Sequence, residues 1–189
     1  MTGVQTCALP IWQATRNHPP VAGNDPVDHA ELHPGIWLAF GELGPADFWR
    51  NRGSIVHVAF LEPPKGGPGA GSFVVRRRYQ AGDAVICEEV CRNTILVRPE
   101  GWLLVLDSVF SSDQADFAFG DQEEMGLGVR VATQASVKHG GGQILDSAGR
   151  KNEKQVWGRT ADWCAYWGMV DGFPVGVAIL PDPGNFRPS

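Results

Sequence analysis

The chain has 189 residues, of which 43% are hydrophobic and 20% charged, a balance typical of one globular domain with its own core. Its formal net charge of −5 argues against a nucleic-acid partner, because neutralising phosphates requires a basic surface, and the one dense basic run is 76–78. Without a run of about 18 apolar residues, the sequence predicts no membrane span.

The first eleven residues, MTGVQTCALPI, resemble a translated reading frame of a sequencing adapter. We therefore exclude residues 1–11 from fold reasoning, as an expression scar would be excluded. The expected domain is a single one over 12–189, truncated at both ends.

Short apolar runs then alternate with turn residues, and helical spacing is almost absent. The 24 glycines and 14 prolines interrupt these runs every several residues, which is typical of an all-β protein. The predicted strands are 36–41, 54–61, 72–79, 84–91, 94–98, 102–110, 116–119, 125–133, 143–145, 161–169 and 173–180. Asp171 and Gly172 predict a tight hairpin between the last two strands, whereas 63–71, PPKGGPGAG, predicts a flexible loop. The expected fold is an antiparallel β-sandwich.

The stretch HAELHPGIWLAFGELGPADFWRN, residues 29–51, holds more polar and aromatic groups than a structural connection needs, and it predicts a functional loop. We assign to substrate binding His29, Asp47, Trp49 and Arg50. His33 is the candidate general acid or base, because imidazole titrates near neutral pH and the next Pro-Gly step would fix its turn. Two alternatives stay open: His33 can cap that turn by hydrogen bonding, and Asp47 can cap the turn at Trp49.

The segment EEMGLGVRVAT predicts a strand with two different faces. Alternation places Met125, Leu127, Val129 and Val131 on one face, and Glu124, Gly126, Gly128 and Arg130 on the other. Because glycines are tolerated where a ligand comes close, the second face predicts the floor of a groove. Glu124 would oppose His33 across it, and Arg130 would bind substrate. The alternative is that the two charges face solvent and the glycines accommodate a neighbouring aromatic ring.

The cysteines and histidines predict neither a metal site nor a cofactor. Cys87, Cys91 and Cys164 have no zinc spacing, and the first two share one face of a strand, so we expect buried free thiols. Such thiols slightly favour a reducing, cytoplasmic compartment. His29 and His33 lack an obvious third ligand.

Three of the seven tryptophans, Trp49, Trp157 and Trp167, lie beside charged or glycine residues, as sugar-stacking rings often do. Trp157 therefore joins the substrate-binding set. The run 151–154, KNEK, predicts the charged tip of a hairpin. As an alternative, Lys154 or Arg159 contacts an anionic ligand such as a uronic acid.

Four blocks of the sequence together carry a family resemblance. They are LHPGIWLAFGELGPADFWRN, DQEEMGLGVRVAT, GRKNEKQVWGRTADWCAYWG and VDGFPVGVAILPDPGNFRP. In this order they resemble a bacterial family of uncharacterised function that carries the automatic label methane oxygenase PmoA, over a match from about His29 to Pro188. The resemblance implies a large β-sandwich of the kind that sugar mutarotases and polysaccharide-active enzymes use, and hence a sugar ligand.

The chain departs from this family in two places. Where many members carry adjacent histidines, only His33, with His29 as a weaker match, carries over. The family also continues beyond the Asn-Phe-Arg-Pro step. A methane monooxygenase is not expected, because that activity belongs to a membrane protein and this chain has no concentrated copper-ligating histidines.

The expected function is proton transfer at a sugar carbon, as in mutarotation or β-elimination, on a concave sheet face. His33 would be acid or base and Glu124 the opposing group. The predicted partner is a small-molecule or oligosaccharide ligand. The alternative is a noncatalytic carbohydrate-binding module, or a structural scaffold, that uses the same face.

Overall fold

The computed structural model describes residues 35–123 and 125–185. The strands within these ranges are β1 (Ile36–Phe40), β2 (Ser54–Gly67), β3 (Ala70–Ala81), β4 (Ala84–Arg98), β5 (Gly101–Ser111), β6 (Met125–Val129), β7 (Gln143–Asp146), β8 (Cys164–Val170) and β9 (Phe173–Ile179). The helical segments are a 3-10 turn (Thr133–Ala135), α1 (Val137–Gly140) and α2 (Asn152–Val156). All strand pairs are antiparallel, so the predicted all-β, sandwich-like class is confirmed.

The largest sheet is a meander in the order β2-β3-β4-β5, each strand pairing with the next along the chain. Its first hairpin overturns the predicted flexible loop at 63–71: β2 continues through Gly67 and β3 begins at Ala70. The reason is the short turn at Gly69, whose φ of 79° suits glycine. Likewise, β4 is one continuous strand where the sequence predicted two.

The carboxylates on the two faces of this sheet differ in their burial and in their partners. On one face, Glu89 is fully buried and accepts hydrogen bonds from Arg77 (3.1 Å), the Tyr79 hydroxyl (3.1 Å) and the Ser108 hydroxyl (2.7 Å). The adjacent Glu88 lies on the other face, one-third exposed, and pairs with Arg78 at 2.9 Å. The dense arginine run therefore neutralises carboxylates within the sheet.

Cys87 and Cys91 share the face of Glu89, and both are buried free thiols, as predicted. Cys87 belongs to a first core. Its other buried members are Phe40, Leu43, Ala46, Phe48, Tyr79 and Ile86. This core joins the loop after β1 to one end of the large sheet.

β1 and β6 form a two-stranded ribbon with the register Ile36 to Val129 and Phe40 to Met125. Met125 packs against the first core, and Val129 packs against a second one. The buried members of the second core are Ala132, Ala135, Val170, Val175 and Val177. The ribbon therefore contacts both cores.

The third sheet, in the order β7-β8-β9, contains the predicted hairpin. Asp171 and Gly172 both have positive φ, 51° and 83°, which confirms the tight turn between β8 and β9. Two other predictions here are wrong. Residues 152–154 of the KNEK run lie in the short helix α2, which Lys151 directly precedes, rather than at a hairpin tip. β6 ends at Val129 instead of reaching 133.

The predicted strand 116–119 is also wrong: this segment contributes a single bridge, from Phe119 to Leu43. Its rings explain the apolar pattern, because Phe117 and Phe119 pack against the first core from a loop. In the described ranges, every helix is too short to cross a membrane.

Candidate functional site

The loop after β1 folds back over the strand that precedes it. The backbone N–H groups of Phe48 and Trp49 both donate to the Phe40 carbonyl, at 2.9 and 3.0 Å. Leu43 and Phe48 are buried in the first core. The loop thus directs its apolar residues inward and leaves Asp47, Trp49 and Arg50 at its rim.

Asp47 and Arg50 interact with each other in this loop. One Asp47 carboxylate oxygen accepts from the Arg50 backbone N–H at 2.9 Å, and the other pairs with the Arg50 guanidinium at 3.1 Å. The Asp47 carbonyl accepts from the N–H groups of Arg52 and Gly53. These contacts correspond to the turn-capping alternative for Asp47. Substrate binding by this pair stays a prediction.

Trp49 contacts a second tryptophan, Trp37 of β1. Their ring centroids are 5.8 Å apart and their planes are 75° apart, an edge-to-face pair. Trp37 lies opposite Gly128 in the ribbon, and a Cβ at Gly128 would come within 2.2 Å of the Trp37 ring. The indole therefore packs directly on the Gly128 backbone.

This packing corrects the predicted groove floor. At Gly128 the space is filled by an aromatic ring, as the alternative interpretation stated. At Gly126, which has a φ of 91°, no described atom lies within 4 Å of where a Cβ would be. Open backbone thus remains at one of the two glycines.

Arg130 follows β6, and its backbone N–H donates to the Gly35 carbonyl at 2.8 Å. This bond extends the β1–β6 register by one residue, and from it we infer, by strand alternation, that Arg130 lies on the same side as Gly128 and Trp37. Partial burial lowers the pKa of its guanidinium, because desolvation disfavours the charged form. We call the surface formed by Trp37, Trp49, Gly126, Gly128 and Arg130 the ribbon face.

Three predicted site residues, His29, His33 and Glu124, lie outside the described residues. The nearest strand residues after His33 and Glu124 are Ile36 and Met125, at opposite ends of the ribbon. Those two ends are about 13 Å apart along the strand. Joint action of His33 and Glu124 on one sugar stays a prediction.

Trp157 belongs to a different surface. It directly follows α2, which packs on β7 of the third sheet, and the residue is 70% exposed. No described contact joins Trp157 to the ribbon face.

The third sheet also carries a cleft of about 480 Å³, which the sequence did not predict. Its lining residues are Gly140, Gly141, Gln143, Trp167, Gly168, Met169, Pro174, Val175 and Gly176. Two signals in the sequence were the glycine-rich HGGGQ run, residues 139–143, and Trp167, a ring already singled out by its glycine neighbour. Within 35–123 and 125–185, no group of three or more His, Cys, Asp or Glu side chains could hold a metal ion.

Comparison with known proteins gives one match. A family model described as "Family of unknown function (DUF6807)" matches residues 9–189. No curated protein and no solved structure matches the chain.

Proposed function

Because the chain belongs to the DUF6807 family, which has no known function, we propose from geometry that the protein binds a carbohydrate on the ribbon face. The observation that carries this proposal is the Trp37–Trp49 pair on the β1–β6 ribbon, at the end of which the Arg130 backbone bonds to Gly35. A sugar presents an apolar C–H face and a rim of hydroxyls. An aromatic pair beside a guanidinium complements both parts.

The proposed chemistry is proton transfer at a sugar carbon or its oxygen: β-elimination removes a proton from the carbon, whereas mutarotation removes the anomeric hydroxyl proton and gives one to the ring oxygen. His33 precedes Gly35 by two residues, and the Gly35 carbonyl accepts from the Arg130 backbone, so the chain enters β1 beside Arg130. A partly desolvated guanidinium stabilises negative charge that develops when a proton leaves a carbon next to a carbonyl group. His33 would act as the general acid or base in this proton transfer, and Glu124 would be the opposing acid–base group.

A noncatalytic carbohydrate-binding module is the second candidate. The contacts of Asp47 favour it, because both oxygens of this carboxylate are engaged by Arg50, one by its backbone N–H and the other by its guanidinium. Asp47 could otherwise act as a base, but its carboxylate is occupied by these contacts. The aromatic surface of Trp37 and Trp49 needs no such base to bind a sugar.

Ligand titration of variants tests the proposal. Calorimetry with neutral and uronic-acid sugars should show that Trp49→Ala weakens binding by roughly tenfold, the effect of losing about 1.4 kcal/mol of stacking. The matched control is Trp157→Ala, which removes an exposed tryptophan on another surface and should leave affinity unchanged. If Trp157→Ala weakens binding and Trp49→Ala does not, the binding site is not on the ribbon face.

His33→Ala distinguishes the two candidates. If the protein is an enzyme, this substitution abolishes turnover with little change in affinity. Turnover is measured by NMR exchange between anomers or by the ultraviolet absorbance of an unsaturated product. In a binding module the substitution only weakens affinity. If the folded protein shows no thermal shift with any sugar at high concentration, carbohydrate binding is refuted.

A further inference from the structure

We infer that the cleft on the β7-β8-β9 sheet is a second binding site, specific for an uncharged saccharide. It is separate from the ribbon face and is tested separately. Trp167 provides the stacking surface, and Gln143 provides the polar contact.

The two faces of this sheet have different partners. Val170, Val175 and Val177 lie on the face that packs against Ala132 and Ala135 in the second core. Strand alternation places Trp167, Met169, Pro174 and Gly176 on the opposite face. There Trp167 is 37% exposed and Met169 51% exposed. The core is thus complete without Trp167, and the indole is presented to solvent.

The strand register leaves space around the Trp167 ring. Its cross-strand neighbours are Gln143 on β7 and Gly176 on β9. A Cβ at Gly176 would lie 3.2 Å from the Trp167 Cβ, tighter than ordinary contact, so a side chain there would crowd the indole. Gly140 and Gly141 line the same cleft beyond Gln143. Glycine backbone therefore lines part of the cleft around the ring, and a ligand can approach it closely there.

The lining chemistry identifies the ligand class. The described lining residues include no Asp, Glu, Lys, Arg or His. An anionic sugar would lose hydration there without gaining a counter-charge, which is unfavourable. A neutral sugar instead places its C–H face on the indole and its hydroxyls against the Gln143 amide, which both donates and accepts. The volume of about 480 Å³ lies within the usual range for small-molecule sites.

The test is an NMR titration of the full chain, monitoring tryptophan indole signals, with cellobiose, maltose and lactose as probes and galacturonic acid as the charged comparison. Trp167→Ala should weaken binding of at least one neutral disaccharide by roughly tenfold. Gly176→Val should do the same while retaining the indole, because its side chain fills the space beside the ring. Galacturonic acid should not compete at this site.

The outcomes separate the two sites. If neutral disaccharides bind and only Trp49→Ala weakens them, the cleft inference fails and the ribbon-face proposal stands. If only the Trp167 and Gly176 variants weaken them, the cleft is supported; the ribbon-face proposal fails if Trp49→Ala also leaves the binding of uronic-acid sugars unchanged. If these variants instead abolish self-association measured by light scattering, the face is a protein interface and the inference is overturned. Galacturonic acid binding that depends on Trp167 would also overturn it.

Discussion

Replacing Glu89 should destabilise the protein far more than replacing the adjacent Glu88. Glu89→Ala removes the acceptor for Arg77, the Tyr79 hydroxyl and the Ser108 hydroxyl at once. Glu89 is fully buried, whereas its partner Arg77 is 32% exposed. The substitution therefore leaves a partly buried cation without its carboxylate and buried hydroxyls without their acceptor.

The expected loss is about 3–5 kcal/mol, which is typical when one partner of a buried ion pair is removed. Such a loss is a large part of a total free energy of unfolding of about 5–15 kcal/mol. Glu89→Gln should cost less, about 1–2 kcal/mol. Its amide oxygen still accepts from Arg77 and from the Tyr79 hydroxyl, and its amide N–H can donate to the Ser108 hydroxyl.

Urea unfolding followed by tryptophan fluorescence measures both changes. Glu88→Ala is the matched control: it has the same residue type on the same strand, also pairs with an arginine, and lies on the half-exposed face. It should cost about 0–1 kcal/mol, as exposed ion pairs do. If Glu88→Ala costs as much as Glu89→Ala, or if Glu89→Ala loses less than about 1 kcal/mol, the assignment of the buried network as a major stabilising feature is wrong.

Two further predictions concern packing and pH. Gly128→Ala should lower the free energy of unfolding in urea by about 1–3 kcal/mol, because the added Cβ would overlap the Trp37 ring. The control is Gly67→Ala, which has no described atom near its added Cβ and should be close to neutral. Equal effects of the two substitutions would contradict the packing of Trp37 on Gly128. Burial, aided by the Glu89 carboxylate, raises the pKa of the Cys87 thiol from 9.0 to about 11. The unfolded chain therefore loses this proton at a lower pH than the folded protein, and the melting temperature should fall as pH rises from about 9 to 11. Cys87→Ala should make that decline shallower, and an unchanged slope would contradict the shift.

Strong local signals in the sequence identified much of the fold. Asp171 and Gly172 specified their turn because few residue pairs tolerate two positive φ angles. Alternation in β6 correctly separated Met125 and Val129, which pack on the cores, from Gly128, which lies against the Trp37 ring. The prediction failed where local and tertiary signals look alike: Phe117 and Phe119 have a strand-like pattern but pack from a loop into the first core.

The candidate site was less predictable than the fold, because it depends on pairing between distant segments. No local pattern shows that Trp37 fills the space above Gly128. The Asp47 turn, by contrast, is local, and its contacts with Arg50 match the capping alternative offered by the sequence. The cleft at Trp167 depends on its register with Gln143 and Gly176, and a shift of one residue would turn this ring to the opposite face.

The topology also determines the order in which these parts can assemble. The large sheet needs only successive hairpins, which close short loops, whereas the β1–β6 ribbon must bring together segments from either side of that whole meander. Long loop closure is entropically costly and tends to occur late in folding. A ligand held across the ribbon face would therefore oppose reopening of the chain, coupling occupancy of that face to the folding of both cores.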